Sequence, residues 1–345
     1  MPTTAQTSEP LSVLYKSQDG TVILLDIPRS IEEAQVLPGQ TPNRRLLSAA
    51  PISTPFPTPE PKDAAARRHA QAPSALLTDL MTGAAAQQAI GTLTESYHGA
   101  YCLPRITTRT TPPSNDTPWI PEGSTPVLGT IQEKAATFTS QAPLFDLIVL
   151  DPPWPNRSAK RKRGCYQTTA GLTDTRDLLS QIPVPSHLAP EGLVAVWITN
   201  RPSLADLLTA PGSGIFAHWG LEVVAEWTWL KITAVGEPVY DLDSTWRKPW
   251  ERIIIARRVG SGVGVAQQRV IVAVPDLHSR KPSLRGLFED VLPVGFRGLE
   301  VFARNLTAGW WSWGNEVLRF QKRECWVEAD GLVSQVTGAV PDEEQ

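Results

Sequence analysis

One stretch of the chain, LFDLIVLDPPWPNRSAKRKRGCYQT (residues 144–168), combines residue types that could do chemistry. An apolar run ends at Asp151, which two prolines and Trp154 follow. Pro152 and Pro153 have a fixed φ and donate no backbone hydrogen bond, so the loop is stiff and presents acceptors, the Asp151 carboxylate and the Pro152 carbonyl. Two acceptors beside a flat aromatic ring match the edge and the face of a base with an exocyclic amine. This order of residues predicts a site that binds such a base and polarises its amine.

The tetrapeptide DPPW also has a purely structural interpretation, because a strand can end in a Pro-Pro turn beside a buried tryptophan. The basic run that follows it has two interpretations as well. Its position directly after the DPPW motif predicts a basic loop that binds the phosphates around an extruded nucleotide. The alternative is a solvated charge run or a nuclear-localisation patch. The basic residues are Arg157, Lys160, Arg161, Lys162 and Arg163.

The elements that must position these residues are short apolar runs rich in Val and Ile, which predict strands buried on both faces. They cover residues 145–150, 193–199, 221–232, 251–257, 269–274 and 299–304. Helical patterns lie between some of them, so we expect an α/β fold with a mostly parallel sheet. No clear helix separates the runs at 221–232 and 251–257, which predicts an antiparallel hairpin at one end of the sheet. Such sheets place their sites at the carboxyl ends of strands, where Asp151 lies.

The chain divides by composition into five predicted segments. They are a strand or hairpin segment (1–30), a Pro/Ala/Ser-rich linker (31–75), a poorly defined accessory region (76–140), a catalytic domain (141–323) and an acidic tail (324–345). The linker prediction depends on the low content of large apolar residues and the many prolines.

The bulk composition excludes several classes of protein. The formal net charge of −3 argues against a global basic field, so any contact with nucleic acid requires a local patch. Cys102, Cys165 and Cys325 form no CxxC pair, which argues against a thiolate zinc site and fits a reducing compartment. The five histidines show no ligand spacing, so we expect no metal site. The sequence lacks a signal-peptide pattern and a membrane-spanning apolar run, which predicts an intracellular, soluble protein.

Six blocks of the sequence resemble one known family and arrive in its order. They are FDLIVLDPPWPNRSAKR (145–161), GLVAVWITNRP (192–202), LEVVAEWTWLKIT (221–233), KPWERIIIARR (248–258), LHSRKPSL (277–284) and LEVFARNLTAGWWSWGNEVLRFQ (299–321). The chain is similar to the amino methyltransferases that act on adenine, in the DPPW family named for the seventy-kilodalton subunit of the messenger-RNA adenosine methyltransferase. Within that family it most resembles the branch called methyltransferase-like protein four.

The resemblance implies a Rossmann-like fold, S-adenosylmethionine as the cofactor, and methyl transfer to the N6 amine of adenine in nucleic acid. The substrate would be RNA, such as small nuclear RNA, or DNA, with the base single-stranded or flipped out of a duplex. The branch implies activity without a paired methyltransferase subunit and a location in the nucleus, and in the cytoplasm as the second compartment. The alternative is an inactive nucleic-acid-binding scaffold of the same fold.

The resemblance also implies roles for individual residues. The catalytic residues would be Asp151, Pro152, Pro153 and Trp154. The cofactor would contact Asp151, Lys281, Arg304, Asn305, Asn315 and Glu316, although some relatives carry glutamine where this chain has Glu316. The turn near the target base would contribute Trp246, Lys248, Trp250 and Glu251, with core packing as the alternative for Trp250. Residues 129–133 would help to bind the cofactor adenine, but they match the family poorly.

Overall fold

The computed structural model describes residues 11–58, 72–109, 117–155, 171–245, 247–278 and 280–328. The strands are β1 (Val13–Lys16), β2 (Val22–Leu25), β3 (Arg44–Leu46), β4 (Thr125–Leu128), β5 (Phe145–Leu150), β6 (Leu188–Ile198), β7 (Leu221–Lys231), β8 (Trp250–Arg258), β9 (Gln268–Ala273), β10 (Gly298–Val301), β11 (Trp311–Gly314) and β12 (Trp326–Glu328). The α-helices are α1 (Ile27–Ala34), α2 (Pro73–Ser96), α3 (Ile131–Gln141), α4 (Leu172–Ser180), α5 (Val184–His187), α6 (Pro202–Thr209), α7 (Ile215–His218) and α8 (Arg285–Phe288).

Ten of these strands form one sheet in the order β1-β2-β9-β7-β8-β6-β5-β10-β11-β4. From β6 to β4 in this order, each pair of adjacent strands is parallel. β8 is antiparallel to both β6 and β7, so β7 points the same way as β6. The carboxyl ends of β4, β5, β6, β7, β10 and β11 therefore meet at one edge of the sheet.

Both faces of the sheet are buried, as the continuous apolar runs predict. On β5, Ile148 and Leu150 pack with α3, α4, α6 and α7, whereas Leu147 and Val149 pack on the opposite face with α1 and α8. Helix α2 covers the sheet near the edge that β1 and β2 form, where Ala86, Ala89 and Leu93 pack on β2 and β9. None of the helices in the described ranges combines the length and the hydropathy that a transmembrane span requires.

The predicted fold class is confirmed, with one correction to the place of the hairpin. β7 and β8 pair antiparallel, but they lie inside the sheet and not at its end. The free edge of β7 is taken by β9, which pairs with it in parallel, and β2 and β1 continue the sheet beyond β9. An internal strand of this kind must have both edges paired, because an unpaired buried backbone group is costly.

Within the segment predicted as a strand or hairpin, β1 and β2 form an antiparallel hairpin at one edge of the sheet. The segments predicted as a linker and as a poorly defined accessory region contain regular structure, and β4 forms the opposite edge of the sheet. The prediction of a linker is wrong for residues 31–58, which contain the second half of α1 and all of β3. β3 pairs with β12, from the predicted tail, in a small second sheet. Proline-rich composition hides this packing, because it depends on a few specific contacts and not on apolar runs.

The main contact of this kind is the carboxylate of Glu32, which has no exposed surface. It accepts hydrogen bonds from the Leu46 amide (2.9 Å), the Arg45 side chain (2.9 Å) and the Arg29 side chain (3.0 Å). The single carboxylate thus ties α1 to β3. Removal of one partner from a buried ion pair leaves the other charges uncompensated.

We expect Glu32→Ala to lower the free energy of unfolding by roughly 3–5 kcal/mol, because it leaves two arginines without their buried partner. The matched control is Glu328→Ala, since Glu328 also pairs with an arginine of β3, Arg44 at 3.5 Å, but is 70% exposed. A pair of that kind contributes about 0–1 kcal/mol. Urea unfolding of both variants measures the difference, and equal losses would contradict the assigned role of Glu32.

Candidate active site

The loop that follows β5 is held by backbone and side-chain hydrogen bonds. The Asp151 amide donates to the Val301 carbonyl of β10 (3.3 Å), and the Trp154 amide donates to the Pro152 carbonyl (2.8 Å). The indole N–H of Trp154 donates to the Trp197 carbonyl near the end of β6 (2.8 Å). The loop is therefore fixed to the strands on both sides of β5. This places the Asp151 carboxylate at the carboxyl edge of the sheet.

Trp154 is only 7% exposed and belongs to the core beneath the loop. With its N–H bonded to Trp197, the ring is held in place and has little surface on which a base could stack. The structure thus supports the packing interpretation of this tryptophan more than the stacking one. The Pro152 carbonyl accepts one hydrogen bond from Trp154 and retains a second lone pair as an acceptor.

Four charged side chains of alternating sign lie at this edge. The Lys281 ammonium lies 3.7 Å from the Asp151 carboxylate and in direct contact with the Glu251 carboxylate. The other oxygen of Glu251 accepts from Lys231 at 2.5 Å. Burial opposes the ionisation of Glu251, but the two lysines outweigh burial and lower its pKa to about 2. Burial likewise disfavours the charge of Lys281, but Asp151 and Glu251 raise its pKa above the ordinary value.

A further carboxyl group, Glu300 on β10, lies on the strand next to Asp151. In the parallel register Glu300 is opposite Val149 of β5 and Ser312 of β11. Burial, and to a lesser extent the negative charge of Asp151, raises the pKa of Glu300 to about 8. Glu300 is therefore largely protonated at neutral pH and adds a hydrogen-bond donor in place of another negative charge.

A cleft with a volume of about 180 Å³ lies at the carboxyl ends of β4, β5, β10 and β11. The cleft is lined by Gly129, Thr130, Ile131, Gln132, Pro153, Leu178, Phe302, Gly314, Asn315 and Glu316. Phe302 has a φ of 62°, in the left-handed region that is costly for a bulky side chain. Such strain is retained where the surroundings impose it, and it clusters at functional sites.

Residues 145–316 match the MT-A70 family. The chain is 53% identical over 330 residues to the "N6-methyladenosine RNA methyltransferase MTA1" of Cryphonectria parasitica, which covers 93% of this chain and 96% of that relative. The chain belongs to the MT-A70 family. It is also 45% identical over 368 residues to the MTA1 protein of Pyricularia oryzae, covering 92% of this chain and 97% of that relative.

A shorter match joins this MT-A70 protein to the human "N(6)-adenine-specific methyltransferase METTL4", with 40% identity over 189 residues, 51% of this chain and 38% of that protein. The family prediction is confirmed. Both MTA1 relatives match at higher identity and over more of the chain than METTL4 does. The similarity therefore extends beyond the methyltransferase-like protein four branch and includes segments before residue 145.

The cleft brings together some of the residues that the sequence singles out as cofactor ligands. Asn315 and Glu316 line it directly, and the Arg304 guanidinium lies 3.6 Å from the Glu316 carboxylate. Asn305 follows Arg304 in the same loop, outside the lining residues. Lys281 contacts Asp151 and Glu251 instead of the cleft lining.

The segment before β5 is also at the cleft, although its sequence matches the family poorly. Gly129, Thr130, Ile131 and Gln132 line the cleft at the start of α3. Thr130 and Glu133 form a capping box, with side-chain to backbone hydrogen bonds of 3.2 and 3.0 Å. The letters TIQE carry the sequence signature of that cap, so the helix start could have been found without the structure.

The predicted substrate residues of the β7–β8 connection have different positions. Trp250 is 1% exposed and packs in the core with α2, so the predicted contact between its side chain and the base is wrong. Glu251 faces the two lysines, and the Lys248 ammonium donates to the Leu242 carbonyl (3.1 Å). The remaining predicted substrate residues lie outside the described residues: Arg157, Lys160, Arg161, Lys162, Arg163 and Trp246.

The residue that the sequence analysis missed is Lys231, the last residue of β7. In the β7–β8 register Trp229 is opposite Glu251, so an antiparallel pair places the end of one strand beside the start of the next. A lysine at the end of a buried strand is the sequence signal that could have identified Lys231 as a residue of the carboxyl edge of the sheet. In the part of the chain that the structure describes, no cluster of three or more His, Cys, Asp or Glu side chains has the proximity that a metal site needs.

The raised pKa of Glu300 predicts a pH dependence of stability. Because the folded pKa of about 8 lies above the ordinary 4.5, the folded state holds an extra proton between these values. The contribution of Glu300 to the free energy of unfolding is present at low pH and is lost as the pH rises through about 8.

Between pH 5 and pH 9, wild type should therefore lose on the order of 1–3 kcal/mol of unfolding free energy relative to Glu300→Gln, a range that allows for partial solvent exposure. Urea unfolding at the two pH values measures this change. Glu95→Gln, at the exposed end of α2, is the control and should follow wild type. A parallel pH dependence in wild type and Glu300→Gln would refute the assignment.

Proposed function

We propose that this MT-A70 protein is an S-adenosylmethionine-dependent methyltransferase that methylates the N6 amine of adenine in RNA. The observation that carries the proposal is the fixed pair of acceptors, the Asp151 carboxylate and the Pro152 carbonyl, beside a cleft with both apolar and polar lining residues. RNA is favoured over DNA because the two relatives that match over nearly the whole chain are named RNA methyltransferases.

The lining of the cleft fits S-adenosylmethionine. Its apolar part, Ile131, Leu178 and Phe302, suits the flat adenine, while the Asn315 amide and the Glu316 carboxylate suit the polar groups of the ribose and the amino acid. When bound, this cofactor would supply an electrophilic methyl group on a sulfonium. The mixed lining and the strained Phe302 at the wall of the cleft both support a pre-formed site.

The chain's own residues would orient the target amine. Asp151 and the free lone pair of the Pro152 carbonyl accept the two amine protons, which directs the nitrogen lone pair away from them. The Lys281 ammonium, 3.7 Å away, fixes the direction of the Asp151 carboxylate. Alignment of this kind accounts for a large share of the rate enhancement in bimolecular transfers, up to roughly 7–11 kcal/mol. The amine loses one proton in the reaction, and the Asp151 carboxylate, which accepts a hydrogen bond from the amine, would take that proton.

The nucleic acid must present an accessible adenine, because a duplex hides the N6 amine. The basic run from Arg157 to Arg163 and the turn containing Trp246 are proposed to contact the strand around that base. Activity without a paired methyltransferase subunit and a nuclear location are part of the same proposal. Since β1, β2 and β4 complete the sheet, we propose that the catalytic unit includes these strands in addition to residues 141–323.

We expect Asp151→Ala to reduce methyl transfer at least about a thousandfold, because the amine loses its charged acceptor. The control is Asp146→Ala on the same strand, whose carboxylate accepts from the Arg297 amide (2.8 Å) far from the site. Mass spectrometry of nucleosides from an adenine-containing single-stranded RNA, incubated with the purified chain alone, measures N6-methyladenosine. Normal turnover by Asp151→Ala would sink the catalytic assignment, and no product from wild type would sink the proposed function.

For the cofactor, we expect Asn315→Ala to raise the dissociation constant of S-adenosylmethionine about tenfold, because the cleft loses a polar contact. Asn43→Ala is the matched control, since Asn43 is exposed and precedes β3. Isothermal titration calorimetry measures both variants. If Asn315→Ala and Asn43→Ala bound the cofactor as tightly as wild type, the cleft would not be the cofactor site.

A further inference from the structure

Lys231, at the end of β7, is a partly buried charge that the proposed reaction does not use directly. Its ammonium is 2.5 Å from the Glu251 carboxylate and 4.4 Å from the centre of the Trp229 ring. The side chain is 23% exposed. A cation held this closely by a carboxylate and an aromatic face is poorly placed to leave them for a phosphate group.

The charges around Lys231 form a chain of four groups with alternating sign: Lys231, Glu251, Lys281 and Asp151. Each inner member contacts a partner on both sides. Glu251 divides its two oxygens between the two lysines, and Lys281 lies between Glu251 and Asp151. Lys281 is in hydrogen-bond contact with Glu251 and lies 3.7 Å from Asp151, so the two carboxylates compete for one ammonium.

That competition between the two carboxylates gives Lys231 its role. Without Lys231, the full charge of Glu251 would act on Lys281 and would draw its ammonium further from Asp151. Coulomb attraction between partly buried charges is several times stronger than in water, so the balance between two carboxylates is sensitive to a third charge. The aromatic faces of Trp197 and Trp229, 4.7 and 5.8 Å from Lys281, confine the ammonium to the space between these carboxylates.

We infer that Lys231 is a positioning residue for methyl transfer, which holds Lys281 on Asp151 by sharing the charge of Glu251. The inference rests on the proposed function, since it concerns the same reaction. It assigns Glu251 to the support of Asp151 and not to the binding of the nucleic acid. Lys231 thus acts through two other side chains and touches neither the amine nor the cofactor.

The test compares Lys231→Met, which keeps an unbranched side chain of similar length without the charge, with Lys231→Arg, which keeps the charge. Steady-state methylation of a single-stranded RNA should show that Lys231→Met lowers kcat about tenfold or more while KM for RNA and the cofactor Kd change less than about twofold. Lys231→Arg should recover most of kcat. Lys16→Met on β1, which removes an exposed lysine paired with Asp290 at 3.5 Å, is the control and should match wild type.

A double-mutant cycle separates positioning from general stability. Because Lys231 acts through Glu251, adding Lys231→Met to Glu251→Gln should lower kcat no further than Glu251→Gln alone. If Lys231→Met does not fold, Lys231→Gln takes its place, since it keeps a donor for Glu251 but no charge. Additive losses of kcat in the cycle would overturn the inference.

Two other results would also overturn it. A raised KM with unchanged kcat and a flatter salt dependence would make Lys231 a phosphate contact. A normal kcat in Lys231→Met would show that Lys231 does not influence the position of Lys281 and Asp151. The wild-type control keeps this inference distinct from the proposed function: an inactive wild type refutes both, whereas an active wild type with an unaffected Lys231→Met refutes the positioning role alone.

Discussion

The contact of one ammonium with two carboxylates, Lys281 with Asp151 and Glu251, depends on nearly every feature of the central sheet. Asp151 follows the carboxyl end of β5, but Glu251 lies at the start of β8. Only an antiparallel strand brings its beginning to the edge where parallel strands end. The reversal of β8 between β6 and β7 is therefore what allows the two carboxylates to share a cation. β9, β2 and β1 continue the sheet beyond β7, so the antiparallel pair of β7 and β8 lies inside the sheet with both edges paired.

Much of this edge could be predicted from the sequence. The apolar run into Asp151 places the carboxylate at the end of a buried strand, and the structure has it there. The resemblance indicated Asn315 and Glu316, which line the cleft. The position of Trp250 could not be predicted, because the local sequence around an aromatic residue near a turn is the same whether the residue binds a base or packs on a helix. Only the position of α2, distant in sequence, buries it.

The outer strands could not be predicted for a different reason. β4 has four residues that alternate between partly buried and exposed, so its sequence has no long apolar run. Its place next to β11 depends on backbone pairing with Trp311–Gly314, a register that side-chain patterns do not encode. The burial of the Glu32 carboxylate could not be predicted either, since a glutamate in a helix is ordinarily exposed to solvent. Three donors that converge from α1 and β3 make it a buried residue.

The pairing of β2 with β9 also has a consequence for how the chain reaches its native state. Val22 is opposite Val270, so the first hairpin finds its partner strand only after about 250 further residues have left the ribosome. The small sheet of β3 and β12 can form only later, after Trp326 has been synthesised. Contacts between residues so distant in sequence slow folding, because loop closure precedes the stabilising contact. During synthesis the apolar side chains of β2 therefore remain without their partner strand β9 until most of the chain has been made.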